Sequence, residues 1–145
     1  MKKILFSSIV CLLFLTGCGD KKLTCSHVAD EDGMTISDKI VLVFDKNGED
    51  IQKVSMYGEF KVDEKYSEYL SDISLAAKEE YKTVEDIGGK VTTSTKDNTV
   101  IVEIDYKTQK LTDDQKSQLE NDGVYFSGGY DYIKSRLEDR GYTCK

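Results

Sequence analysis

Cysteine and histidine carry the most distinctive chemistry in this sequence, and both are scarce. The 145 residues include four cysteines and one histidine. His27 lies two residues after Cys25, so both side chains share one face if this segment is a strand. A histidine next to a cysteine can activate the cysteine as a thiolate nucleophile. That nucleophile is lost if Cys25 is oxidised, and no Gly-x-Ser-x-Gly segment offers a serine instead. We therefore expect no enzyme activity.

Acidic turns are the next candidates for chemistry, as metal ligands. Asp45-Lys46-Asn47-Gly48-Glu49-Asp50 places oxygen ligands at alternate positions. An EF-hand loop that began at Asp45 would need glycine at its sixth position and glutamate at its twelfth, but Gly48 is fourth and Met56 is twelfth. An Asn-Gly hairpin turn explains these residues more simply. We interpret residues 30–33 as a second acidic turn. We predict no metal site and no cofactor, and weak cation binding by either turn stays open.

The N-terminus has the pattern of an export signal. Lys2 and Lys3 precede an apolar run at residues 4–15 that is too short to span a bilayer. An ordinary signal peptide or a lone membrane helix would need a longer run or different residues before the cut. The run ends in Leu15-Thr16-Gly17-Cys18, which resembles the lipobox of bacterial lipoproteins.

The lipobox resemblance implies a lipid anchor and a location in the cell envelope. Residues 1–17 are then the signal peptide, and Cys18 becomes the first residue of the exported protein and carries an acyl chain such as palmitate. Residues 18–22 form a short lipidated tether. The protein is expected on the extracytoplasmic side of the cell membrane or the outer membrane.

Two cysteines remain for the exported domain. Cys11 leaves with the signal peptide and Cys18 is acylated, so Cys25 and Cys144 stay outside the reducing cytosol, where thiols oxidise if geometry allows. We predict a structural disulfide between them. A redox-active pair is the alternative, but such cysteines usually lie close in sequence.

Length and charge limit the number of domains and the classes of partner. Removal of residues 1–17 leaves 128 residues, which suits one globular domain at 23–145. The net charge changes from −7 to −9, because the removed segment contains Lys2 and Lys3 and no acid. An acidic surface repels phosphates, so we expect no nucleic-acid partner, and the membrane attachment must come from the lipid.

Apolar residues alternate along several segments, which indicates strands. On residues 53–62, Val54 and Met56 share one face, whereas Ser55, Tyr57 and Glu59 share the other. Strands are predicted at residues 23–28, 34–44, 53–62, 90–95 and 99–106.

Helical spacing follows the third strand. Apolar and tyrosine residues recur at steps of three and four, with Asp63 as a candidate N-cap and Gly88-Gly89 beyond the end. The spacing predicts one long amphipathic helix whose inward side chains are Tyr66, Tyr69, Leu70, Ile73, Ala77 and Tyr81.

Two further helices are predicted near the C-terminus. Thr112 and Gln115 have capping-box spacing before a short helix near Leu119. Ser127 is a candidate cap for a helix at residues 129–140, which turns Tyr130, Ile133 and Leu137 inward and stops at Gly141. The order of elements predicts an α+β fold in which an antiparallel sheet of two hairpin groups carries the long helix and the C-terminal helix on one face.

Several features resemble a known group of proteins. They are the start Cys18-Gly19-Asp20-Lys21-Lys22, the hairpins, the tyrosine-bearing helix and the ending Arg140-Gly141-Tyr142. With them the chain resembles the YehR-like group of small bacterial lipoproteins. The resemblance implies an α+β fold, and it implies no catalytic residues because the group has no established activity.

Tyrosine suggests where a partner could bind. Nine tyrosines are present, and most fall on predicted core positions. Tyr57 instead shares a polar strand face with Ser55 and Glu59, which makes these three residues the candidates for partner contact. We expect a binding module that contacts an envelope protein or a small ligand through this face or through a cleft beside the long helix. A structural accessory lipoprotein and a carboxylate-dependent hydrolase are the alternatives.

Overall fold

The computed structural model describes residues 19–145, except for the side chain of Glu31, and has an α+β fold. Six strands form one antiparallel sheet, and four α-helices accompany it. The strands are β1 (Lys21–Glu31), β2 (Met34–Phe44), β3 (Ile51–Val62), β4 (Lys90–Lys96), β5 (Thr99–Lys107) and β6 (Thr143–Cys144). The helices are α1 (Leu70–Glu80), α2 (Lys82–Asp86), α3 (Asp113–Asn121) and α4 (Tyr130–Asp139).

The strands follow the order β4-β5-β3-β2-β1-β6 across the sheet. The first hairpin is longer than predicted, because β1 continues to Glu31 and pairs it with Met34. Only Asp32 and Gly33 form the turn, with φ of 42° and 85°. Positive φ at both central residues is the geometry of a tight hairpin turn that matches the twist of its strands.

The second turn is wider than the predicted Asn-Gly turn. Residues 45–50 separate β2 from β3, and of the Asn-Gly pair only Gly48 has a positive φ, of 76°. The Asp45 carboxylate organises this loop, since its Oδ1 accepts the backbone N–H of Glu49 at 2.9 Å and that of Asp50 at 3.3 Å. A two-residue turn would have no place for these bonds.

Burial alternates along the strands and defines two faces of the sheet. Val54 on β3, Leu42 on β2 and Tyr106 on β5 meet in one register row of the buried face, which we call the core face. Buried helix residues belong to the same hydrophobic cluster, among them Leu70, Ala77, Val84, Leu119, Ile133 and Leu137. The opposite face, which we call the outer face, carries Ser55, Tyr57 and Glu59.

The predicted long helix is divided into three short pieces. Residues Glu64–Tyr69 form a 3-10 helix, α1 begins at Leu70, and α2 follows after Tyr81. Tyr66 and Tyr69 were predicted to face inward, yet they are 39% and 50% exposed. Side chains three residues apart are eclipsed in a 3-10 turn, so they do not extend the apolar face of the α-helix that follows. The three- and four-residue spacing therefore predicts a longer buried face than the structure has.

The C-terminal helices have different beginnings. The capping box of α3 is present as predicted, because Gln115 donates its N–H to Thr112 Oγ1 and accepts the Thr112 N–H. Ser127 does not cap α4, whose N-cap is Gly129 with no side-chain hydrogen bond. Instead, the Tyr130 N–H donates to the carbonyl of Gly48 at 2.8 Å, so the neighbouring loop takes the place of a cap.

The predicted disulfide is present and connects the two ends of the domain. Cys25 and Cys144 are bonded across a sequence separation of 119 residues. They are also cross-strand partners, since β6 pairs with β1 at Cys25 and Ser26. The short strand β6 was not predicted, although it is what places Cys144 beside Cys25.

The expected signal peptide and the lipidation site at Cys18 lie outside the described residues. Within residues 19–145, no helix combines the length and the apolar character needed to cross a membrane. Strand β1 starts at Lys21, so only Gly19 and Asp20 separate the sheet from Cys18.

Candidate functional site

The three residues predicted for partner contact lie together on the outer face. Ser55 pairs with Val41 on one side and Asp105 on the other, and Tyr57 pairs with Lys39 and Glu103. These two rows surround a shallow depression of about 310 Å³ that is lined by Lys39, Val41, Ser55, Met56, Tyr57, Glu103 and Asp105. The strand alternation placed Ser55, Tyr57 and Glu59 correctly on one face.

A hydrogen-bonded acid holds one side of the depression. Ser55 Oγ donates to Asp105 Oδ1 at 2.5 Å, and Lys53 Nζ lies 2.9 Å from the same oxygen. Burial by itself raises the pKa of Asp105, but the hydrogen bonds from Ser55 and Lys53 and the charges of Lys53 and Lys90 outweigh it, so the pKa is lowered. Asp105 is therefore ionised and fixed in position at neutral pH.

Tyr57 is held by its neighbour on the same strand. Its hydroxyl donates to Glu59 Oε1. The pKa of Tyr57 is raised, first because this hydrogen bond stabilises the neutral phenol, then by partial burial and the charges of Glu59 and Glu103. A neutral, half-buried aromatic ring in a fixed orientation is well suited to contact a protein partner.

The 45–50 loop forms no assembled metal site. Among the side chains that the structure describes, which leave out Glu31 of the other acidic turn, no group of three or more could ligate a metal. In the 45–50 loop, Asp45 Oδ1 already accepts two backbone N–H groups. These bonds stabilise the carboxylate and lower the pKa of Asp45, with Glu49 the largest contributor.

A second candidate site on the core face was not found from the sequence. One register row of the sheet contains His27, Asp38, Gly58 and Val102 side by side. A cleft of about 190 Å³ opens over this row, and its lining includes Asp38, Gly58, Phe60, Tyr81 and Tyr142. We call it the Asp38 cleft.

Gly58 makes this cleft possible. A Cβ atom added there would lie 3.3 Å from Phe60 Cε2 and 3.6 Å from Asp38 Oδ1. The missing side chain therefore lets the Asp38 carboxylate and the Phe60 ring approach each other over the strand backbone. In sequence terms the signal is an acid between Ile36 and Ile40 on an inward-facing strand position, with a glycine as its partner.

Asp38 is the half-buried acid of the cleft. Burial raises its pKa, and the charge of His27 partly lowers it. The pKa of Tyr142 is raised by burial and then by Asp38, while Arg140 opposes the rise. Asp38 also contributes to the raised pKa of Tyr81, after burial and Glu80. The half-buried carboxylate thus shares the lining of the cleft with both tyrosines.

His27 lies beside Asp38 in the sheet register and not in a catalytic couple. Cys25 is in the disulfide and has no free thiol. The His27 ring instead packs on Tyr142, with ring centroids 5.1 Å apart. This arrangement is that of a strand histidine packed against the C-terminal tail.

Comparison with known proteins gives a structural similarity but no related family. No protein-family model matches the chain, and the search of curated proteins gives no match. The chain is similar in structure to a protein from Streptococcus pneumoniae TIGR4 that was solved by NMR. The TM-score is 0.54 at 18% identity, and the match covers 100% of this chain and 96% of that one. At this identity the likeness concerns the fold alone.

Proposed function

We propose that the protein is a lipid-anchored, non-enzymatic interaction module of the bacterial cell envelope, related to the YehR-like lipoproteins. Cys18 carries the acyl anchor, and the domain stands on the extracytoplasmic side of the membrane. There the outer face, centred on Tyr57, contacts another envelope protein. The observation that carries this proposal is the fixed cluster of Ser55, Tyr57 and Glu59 beside a depression on an exposed sheet face.

The disulfide agrees with an exported domain. Cys25 and Cys144 are joined in the structure, and such bonds persist mainly outside the reducing cytosol. The charged N-terminal pair, the short apolar run and the small residues before Cys18 supply the export and anchoring signals.

The two-sided sheet supports contact through the outer face. In this proposal the helices pack on the core face, where their buried residues join the cluster of the sheet. The outer face keeps half-buried Val41 and Tyr57 within a rim of Lys39, Glu103 and Asp105. An apolar and aromatic centre with a charged rim is the usual anatomy of a protein interface. Side chains already held by hydrogen bonds also lose less freedom on binding.

A carboxylate-dependent hydrolase fits the geometry less well. Glycoside hydrolysis usually needs two carboxylates that flank the scissile bond. Among the described residues that line the Asp38 cleft, Asp38 is the sole carboxylate. The Asp38 cleft is therefore better suited to binding than to acid-base catalysis. In the outer depression, which Glu103 and Asp105 line, Asp105 has a lowered pKa and is held by Ser55 and Lys53, so it is not a general acid.

The partner can be sought by crosslinking in cells, followed by affinity capture and mass spectrometry. The wild-type chain is compared with a variant that combines Tyr57→Ala and Glu59→Ala, and with an unrelated domain on the same anchor. We expect one specific partner that the double variant loses. Tyr132→Ala is a matched control, since Tyr132 is 56% exposed on α4 and its loss is expected to leave capture unchanged. Equal capture by wild type and double variant would contradict the proposed surface, and no capture would favour a purely accessory role.

The anchor is tested separately by metabolic labelling with an alkyne fatty acid. We expect the wild-type chain to be labelled and to fractionate with membranes. Cys18→Ala should remove both properties, whereas Cys11→Ala should retain both because Cys11 leaves with the signal peptide. Labelling of Cys18→Ala at the wild-type level would refute the anchor.

A further inference from the structure

The Asp38 cleft combines a carboxylate with aromatic and apolar walls. Asp38 Oδ1 lies over the backbone of Gly58, and Phe60, Tyr81 and Tyr142 line the space around it. Met56, Ile40 and Ile104 complete the apolar floor. Lys39 and Tyr57 also contribute to the lining. Lys39 is exposed, whereas Asp38 is half-buried and presents its carboxylate to a ligand in the cleft.

The charge of Asp38 has no bonded counterpart within the described residues. No side-chain hydrogen bond or ion pair there involves this carboxylate. His27 is its neighbour across the strands, but the ring is packed on Tyr142. A half-buried carboxylate without a bonded partner is costly, so a bound cation would be favourable.

From this geometry we propose that the Asp38 cleft binds a small organic ammonium ion with a short apolar body. The ammonium group donates to the Asp38 carboxylate, and its charge also faces the aromatic rings of Tyr81 and Tyr142. The apolar body lies against Met56 and Phe60. A volume of about 190 Å³ limits the ligand to a few carbon atoms, and an anion is repelled by Asp38.

Asp38 and Gly58 belong to the core face, whereas Ser55 and Tyr57 belong to the outer face of the same strands. Lys39, Met56 and Tyr57 contribute to the lining on both sides of the sheet. Asp38 does not line the outer depression, so the effect of Asp38→Asn on ligand binding can be told apart from a loss of partner contact.

The histidine offers a direct reporter of the cleft. His27 is the one histidine in the sequence, so its imidazole gives a single set of NMR signals, and it lies next to Asp38 in the register. The full-length chain in detergent is titrated with n-butylammonium chloride in buffer with excess KCl. The neutral 1-butanol and the anionic butyrate serve as matched probes. We expect a saturable shift of the His27 signals with n-butylammonium, with a dissociation constant on the order of 1 mM for so small a ligand. The two other probes should shift these signals at least tenfold less at equal concentration.

Two variants and one control test the assignment. Asp38→Asn keeps the shape of the side chain and should weaken n-butylammonium binding at least tenfold. Asp131→Asn removes the same charge from an exposed position on α4 and should bind as the wild type does. Gly58→Ala keeps Asp38 but fills the floor of the cleft next to Phe60, and should weaken binding severalfold.

The proposed ammonium site is wrong if n-butylammonium gives no saturable shift of the His27 signals or if 1-butanol shifts them equally. It is also wrong if Asp38→Asn binds n-butylammonium with unchanged affinity. Backbone amide spectra of each variant establish that it is folded. Should Asp38→Asn fail to fold, Gly58→Ala and the three probes still decide the question.

Discussion

Removal of the disulfide should destabilise the domain strongly, because the bond closes most of the chain into one loop. Cys25 and Cys144 are separated by 119 residues. Crosslinking a loop of this size lowers the entropy of the unfolded chain, and the chain-entropy model gives about 5 kcal/mol at 25 °C. Domains of this size have a total free energy of unfolding of roughly 5–15 kcal/mol. The bond is therefore expected to supply a large share of the stability.

Urea unfolding of the full-length chain in detergent, followed by circular dichroism, measures this contribution. With a slope of about 2 kcal/mol per molar, reduction should lower the midpoint by about 2.5 M. The reduced wild-type chain retains both sulfur atoms, so its loss reports the crosslink alone. The variant that combines Cys25→Ala and Cys144→Ala should unfold slightly earlier still, since Cys25 is buried and its truncation leaves a small cavity.

The double variant also controls for side effects of the reductant, which should not move its midpoint. Oxidised and reduced wild-type chains with midpoints within about 0.3 M of each other would refute the reasoning, since the slope would then allow a difference of only about 0.6 kcal/mol.

Three other substitutions test local features of the fold by the same unfolding measurement. Gly89→Ala should lower the free energy of unfolding by about 1–3 kcal/mol, because the new Cβ would lie 2.8 Å from the backbone oxygen of Val84. Tyr106→Phe should lower it by about 1–2 kcal/mol, since the buried hydroxyl donates to the carbonyl of Val124. Asp105 has a lowered pKa, so its stabilisation is present above the unfolded value near 3.8 and is lost as the pH falls through the folded value. Asp105→Asn should remove that part of the acid dependence, with an effect below about 1 kcal/mol at neutral pH because the side chain is 47% exposed.

Each of these substitutions has a matched control. Gly58→Ala should change the unfolding free energy by less than about 1 kcal/mol, since its added Cβ would lie 3.3 Å from the movable Phe60 ring and at the ordinary contact distance of 3.6 Å from Asp38 Oδ1. Tyr132→Phe removes an exposed hydroxyl, and Asp20→Asn removes an exposed charge, so both should be nearly neutral. A control that loses as much stability as its partner would contradict the corresponding contact.

Much of the sheet could be predicted because one of its faces is buried. Val54, Met56 and Phe60 alternate with Ser55 and Tyr57, which is the pattern expected of a strand with one buried face. The register of β3 places the two sets on opposite faces of the sheet. The expectation of export and of acylation at Cys18 likewise left Cys25 and Cys144 as the pair, and the disulfide between them is present.

The remaining differences have physical causes that a single sequence hides. Tyr66 and Tyr69 fit a helical period, but the 3-10 geometry of Glu64–Tyr69 leaves them exposed. Strand β6 is only two residues long and is defined by its pairing with β1. The Asp38 cleft depends on the register that brings Asp38 beside Gly58, and no local pattern determines that register.

The central claim is that the outer face around Tyr57 contacts another envelope protein, and site-specific photocrosslinking tests it most directly. A photoreactive phenylalanine analogue replaces Tyr57 in the full-length chain expressed in cells. In a parallel chain it replaces Tyr132, an exposed tyrosine on α4. We expect one discrete crosslinked protein from position 57 and none from position 132. No crosslink from position 57, or the same product from both positions, would contradict it.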